Sequence, residues 1–102
     1  MVTGGTGALG QAVTLRLRAG GASVAVPSIV KAEEDQLRAR VPAAARDRLL
    51  IAEADVVDEA SLTRFTETVL ARHRRADILV CLVGGFAGGA LVETDRATWD
   101  RM

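Results

Sequence analysis

The chain has no tyrosine, one cysteine, one histidine, two prolines and three aromatic residues among its 102. Cys81 alone cannot form a disulfide framework, and its place in an apolar run points to a reducing compartment. Cysteine and histidine are too few to give spaced ligands, so a structural or catalytic metal has no support. Neither charge sign dominates: 13 basic residues balance 13 acidic ones, which removes the general case for nucleic acid or an anionic membrane surface as partner. No apolar run approaches the ~18 residues that span a bilayer, and the start shows no basic segment leading into an apolar one. A cytoplasmic protein is therefore expected. What is abundant is apolar: 49% of residues are hydrophobic, which excludes disorder and calls for a core. The length allows one domain over residues 1–102, or part of a larger one.

Glycine is the other abundant residue, and its densest stretch organises the chain. Thr3-Gly4-Gly5-Thr6-Gly7-Ala8-Leu9-Gly10 runs from an apolar start into an amphipathic helical pattern. Gly5 and Gly7 are expected to turn the backbone with positive φ and to let it approach an anion, while Gly10 lets the helix lie close on a strand. Free N–H groups and the dipole at the helix start then favour the paired phosphates of a dinucleotide.

Leu9, Val13 and Leu17 recur at helical spacing, and Gly20-Gly21 ends that helix. Ala22 to Val26 suits a buried strand closed by Pro27. A second helix is predicted from about Val30 to Val41, anchored by Leu37 and Val41, with Glu33, Glu34 and Asp35 early, where the dipole favours acid; Pro42 ends it. Leu49 to Ala54 reads as a third strand. Asp58 then caps a helix whose stripe is Leu62, Phe65 and Val69, and Arg72-His73-Arg74-Arg75 falls at its end. Ile78 to Val83 is the most apolar run and reads as a fourth buried strand running into Gly84-Gly85. Thr94 or Asp95 is placed to cap a last helix containing Trp99.

Met1 to Thr3 supplies only the tail of a first strand. The resulting β-α-β-α-β-α-β alternation is α/β: about four strands of a doubly wound parallel sheet, order 3-2-1-4, with helices on both faces. His73, among three arginines, is read as a solvated partner of the helix dipole, Trp99 as a packing residue, and Cys81 as a small core residue rather than a nucleophile.

Thr3 to Gly10, Ala54-Asp55-Val56-Val57-Asp58, Asp77 to Gly84 and Thr98-Trp99-Asp100-Arg101 occur in an order that resembles the N-terminal half of the short-chain dehydrogenase/reductase family, a Rossmann-type fold. The resemblance implies that Gly4, Thr6, Gly7 and Leu9, in the turn with Gly5 and Gly10, lie along the adenosine ribose and pyrophosphate of NAD or NADP. Ala8 stands where the family's middle glycine is usual. Asp55 matches the acid that contacts the adenine amino group, with the Val56 backbone beside it; its competing role is to help cap the following helix. The family's Asn-Asn-Ala-Gly segment falls on Cys81-Leu82-Val83-Gly84, so Cys81 replaces an asparagine near the cofactor, while Gly84 still allows close approach.

Choice between NAD and NADP falls to the end of the second strand, where an acid would bind the ribose 2′-OH and an arginine the 2′-phosphate. Ser28 and Ile29 supply neither, and only Lys31 hints at NADP. The resemblance also implies proton transfer by the tyrosine of a Tyr-x-x-x-Lys motif with a serine and an asparagine nearby, yet the chain has no tyrosine and no asparagine. The expected function is the NAD(P)-binding portion of an oxidoreductase, inactive by itself, with an apolar strand upstream and Tyr-x-x-x-Lys downstream in a longer reading frame. The alternative is a non-catalytic module that binds a nucleotide or a partner chain. An open sheet edge or the helices would serve a homo-oligomer.

Overall fold

The computed structural model describes the backbone of residues 1–102 and every side chain except those of Leu91 and Arg101. Its elements alternate: β1 (Val2–Thr3), α1 (Ala8–Ala19), β2 (Val24–Ser28), α2 (Lys31–Ala39), β3 (Leu49–Glu53), α3 (Glu59–His73), β4 (Val80–Cys81) and α4 (Arg96–Arg101). A 3-10 turn that the pattern did not foreshadow, Ala43–Arg48, leads from α2 into β3.

All strand pairing is parallel. β2 and β3 are in register from Val24 opposite Leu49 to Ser28 opposite Glu53, and β1 pairs with β4 through Val2 and Val80. These two ladders are neighbour pairs of the expected order, but no ladder joins β1 to β2. Contact there is through side chains, with Val2, Val24 and Val26 in one cluster.

Alternation along β2 and β3 explains why helices cover both faces. Val24, Val26, Leu49 and Ile51 point to one side, where Leu37 and Val41 meet them together with Val13 and Leu17 of α1. Ala25 and Leu50 point to the other side, where Phe65 and Val69 of α3 close over them. A strand buried on both faces must be apolar at every position, which is why β2 shows no polar alternation until Ser28. Burial of Leu37 alone stabilises the fold by roughly 1.5–3 kcal/mol.

Pro27 does not end β2; it lies within the ladder, opposite Ala52. The Ser28 carbonyl accepts a hydrogen bond from the Ala54 amide, so alternate residues face β3 and Pro27 faces the side where no ladder is formed. Its missing N–H therefore costs no strand bond.

In α1 the buried residues are Gly10, Gln11 and Thr14, while Leu9, expected at the head of the apolar stripe, is 65% exposed. Asp58 caps α3 as expected, accepting from the Ala60 amide at 3.2 Å. The apolar run after α3 is the clearest correction. Only Val80–Cys81 forms strand, and Ile78, Leu79 and Val83 are 64%, 58% and 56% exposed. The two-residue β1 is the sole ladder partner, and among the described residues nothing covers the outer side of β4. Cys81 is thus exposed rather than part of the core. Trp99 likewise is 62% exposed, on a short helix that Asp95 caps through the Thr98 amide. Among the described residues no helix is long and apolar enough to cross a membrane.

His73 also departs from expectation. It is half-buried, its Nε2 is buried without a hydrogen-bond partner among the described residues, and it lines a hollow of about 330 Å³ at the amino ends of the strands, with Met1, Val24 and Val69. Desolvation lowers its pKa from 6.5, and the charges of Arg72 and the chain's amino group lower it further. Between the two pKa values the unfolded chain holds a proton that the folded chain does not, so this contribution is present above pH 6.5 and is lost as pH falls through the folded value. His73→Gln removes it. Thermal melts at about pH 7.5 and about pH 5.5, bracketing the histidine range, should show a smaller loss of Tm for the variant than for the parent. Equal losses would contradict a depressed His73.

Candidate functional site

The carboxyl ends of the strands open into a groove of about 590 Å³. Its walls come from the glycine turn (Gly4, Thr6, Gly7), the end of β2 (Pro27, Ser28), the loop after β3 (Ala54 to Val57) and the segment after β4 (Leu82 to Gly84). Such a crevice, where neighbouring crossovers leave the sheet on opposite faces, is where open α/β sheets bind ligands.

The glycine turn is built around two backbone constraints. Gly4, not Gly5 or Gly7, carries the positive φ, +67°. A Cβ on Gly4 would also stand 2.8 Å from the Leu82 carbonyl, so side-chain bulk is refused twice. Gly10 is tighter still: a Cβ there would lie 1.9 Å from the Gly4 oxygen and 2.6 Å from the Gly5 Cα. Its close neighbour is thus the turn itself rather than a strand. Gly5 is buried under the turn against Val26, where a Cβ would sit 2.8 Å from Cγ1.

This packing leaves the start of α1 bare. Gly7 is the N-cap without a side-chain cap, and the first turn of the helix holds no acid. The amides of Ala8 and Leu9 donate to no described group, so their N–H dipoles and the helix field are available to an anion. Gln11 steadies the turn from beneath, donating from Nε2 to the Thr6 carbonyl at 2.8 Å while Arg40 holds its Oε1 at 2.9 Å.

Asp55 lies in the groove wall, half-buried. Its Oδ1 accepts from the Val57 amide at 3.0 Å, and its own amide donates to Ser61 Oγ at 3.2 Å. It thus shapes the turn before α3, and Asp58 does the capping. Of the residues singled out in the sequence, Gly4, Thr6, Gly7, Asp55, Val56 and Gly84 line the groove. Gly5 and Gly10 lie beneath the turn, Leu9 faces outward on α1, and Cys81 is exposed on β4.

Sequence reasoning missed Glu33. It lines the groove, and its Oε2 accepts from Thr6 Oγ1 at 2.9 Å, with Ser28 Oγ 3.3 Å from the same hydroxyl. Its position one turn into the helix that follows β2 was the available signal. Lys31 is committed elsewhere, pairing with Glu34 at 3.4 Å and Asp35 at 3.3 Å, chiefly through the Asp35 hydrogen bond that raises its pKa.

A parallel sheet with helices on both faces, a glycine turn and an uncapped helix start at its carboxyl edge define an α/β protein with a Rossmann-type fold. The short chain dehydrogenase family profile matches residues 1–102, and the chain belongs to that family. It is 30% identical over 105 residues to a short chain dehydrogenase/reductase of Macrophomina phaseolina, covering 100% of this chain and 59% of that one. It is 26% identical to a meso-2,3-butanediol dehydrogenase of Serratia marcescens, covering 100% of this chain and 39% of that protein. A solved structure assigned as a 3-oxoacyl-reductase of Bacillus thuringiensis superposes with a TM-score of 0.84 at 27% identity, over 99% of this chain and 43% of that one. The chain thus spans about half the length of these relatives.

The turn makes a sharp stability contrast. Gly10→Ala should cost on the order of 3 kcal/mol, because the Cβ meets backbone that Leu82 holds from the other side. Gly7→Ala, whose nearest neighbour would be 3.5 Å away, should stay within about 0.5 kcal/mol. Urea unfolding of the two variants measures the difference; comparable losses would contradict the described packing.

Proposed function

We propose that the chain is the dinucleotide-binding portion of an oxidoreductase. In the complete protein, hydride would pass between NAD(P)H and a carbonyl or alcohol substrate. The observation that carries this reading is the junction of an uncapped, acid-free helix start with a groove that ends at Asp55 and Val56. The Gly4 to Leu9 backbone would hold the pyrophosphate through its amides, with Gly5 and Gly10 keeping the turn flat beneath it. Asp55 and the Val56 backbone would take the adenine: Oδ1 is spent on Val57, while Oδ2 has no partner among the described residues and can accept from the exocyclic amine. Cys81 and Gly84 would border the ribose on the nicotinamide side.

The nicotinamide, when bound, supplies or accepts the hydride; the protein must supply the proton that goes with it. With no tyrosine, the chain lacks the group that does so in its family. Binding without turnover is the consequence. Exposed Ile78, Leu79 and Val83 on the β4 side favour a second reading, a module that associates through this edge with another copy of itself or another chain.

Titration of NADH fluorescence with the chain should show saturable binding, and Asp55→Ala should weaken it about tenfold through loss of a charge-assisted hydrogen bond. A carbonyl added to the complex should leave NADH unoxidised. Absence of binding in a folded sample would leave only the association reading, and turnover would contradict the missing proton donor.

A further inference from the structure

Three carbonyls of the glycine turn face the body of α1. That of Gly4 accepts from the Gly7 amide at 3.2 Å and lies against Gly10. That of Gly5 stands 3.4 Å from Thr14 Oγ1, a long contact inside the fold. That of Thr6 takes the shortest bond of the three, 2.8 Å from Gln11 Nε2, and has no other partner among the described residues. Gln11 is 7% exposed, so this bond is shielded from water. The far end of its amide is fixed by Arg40, which reaches across from the end of α2 and donates to Oε1 at 2.9 Å. A guanidinium only donates, so it holds the amide oxygen and leaves the nitrogen to face Thr6. Reversed, the amide would set donor against donor at Arg40 and oxygen against oxygen at Thr6.

The turn needs such a lock at this point. A Cβ on Gly7 would meet nothing nearer than 3.5 Å, so the Thr6–Gly7 peptide has both room to rotate and a glycine that permits it. Rotation would swing the Thr6 oxygen off α1 and toward the groove that both residues line, setting the negative end of a dipole beside the bare amides of Ala8 and Leu9. We propose that Gln11 is a positioning residue for the anion site, keeping the Thr6 carbonyl turned away from a bound phosphate, and that Arg40 sets the direction of its amide. The inference rests on reading the groove as a dinucleotide site. Neither Gln11 nor Arg40 lines the groove, so both act through the turn, and their effect falls on the phosphates rather than on the adenine.

The test is a parallel titration with ADP and with adenosine, which carries no phosphate, for the parent, Gln11→Met, Arg40→Met and Arg40→Lys, each checked for folding by circular dichroism. Gln11→Met keeps the length of the side chain and removes both polar ends. It should weaken ADP about tenfold, the worth of one hydrogen bond, and leave adenosine within about twofold. Arg40→Met, which frees the Gln11 amide to reverse, should weaken ADP about threefold, and Arg40→Lys, which again only donates, should recover the parent value within about twofold. Arg40 is exposed, so its variants carry the test even if Gln11→Met does not fold. Side chains that merely support the fold would lower both affinities together, or lower Tm with the ratio of ADP to adenosine affinity unchanged. Either result overturns the proposal and leaves the dinucleotide reading intact; an Arg40→Lys no better than Arg40→Met overturns the role of Arg40. A folded parent that binds neither ligand, or binds ADP no more tightly than adenosine, overturns both.

Discussion

The structure turns on the near-zero clearance between the first turn of α1 and the loop that precedes it. Gly10 lies so close to Gly4 and Gly5 that a methyl group would overlap the Gly4 carbonyl. Because the turn tucks beneath the helix start in this way, no side chain of the loop reaches back to cap it, and the first amides of α1 remain unsatisfied. A helix end with unfilled donors is ordinarily a cost to stability. Here the cost falls at the carboxyl edge of the sheet, where an anionic ligand would offset it.

The second constraint is that β2 and β3 are buried on both faces. Each alternate side chain must find its own helix, so α1 and α2 share one face and α3 takes the other. That arrangement separates the crossovers and opens the groove between them. The β1–β4 pair is held by less: β1 contributes two residues, and β4 leaves its outer side uncovered. The apolar surface at Ile78, Leu79 and Val83 follows directly from that one-sided pairing.

Much of this was legible in the residues. Glycine density followed by helical spacing located the turn, and the double-sided apolar strands with intervening amphipathic helices defined an α/β sheet. Asp58 was readable as a cap because a short acceptor immediately before an apolar stripe has one obvious use. What failed to show were the consequences of three-dimensional adjacency. The lack of room for a side chain at Gly4 depends on the chain passing Leu82, and the harmlessness of Pro27 depends on which side of β2 carries the ladder. Burial of Ile78 to Val83 was inferred from composition alone, yet burial requires a covering element, and the described residues provide none. Glu33 was read as one of several acids at a helix start, since its contact with Thr6 spans 27 positions and leaves no local trace.

On the proposed reading, the bare amides after Gly7 are the functional centre of the chain. The most direct test is an amide NMR titration with ADP, the portion common to both dinucleotides. The account predicts that the largest shifts fall on residues 6 to 10 and on Asp55 and Val56. Shifts concentrated around Met1 and His73 at the other end of the strands, or no saturable shifts in a folded sample, would contradict it.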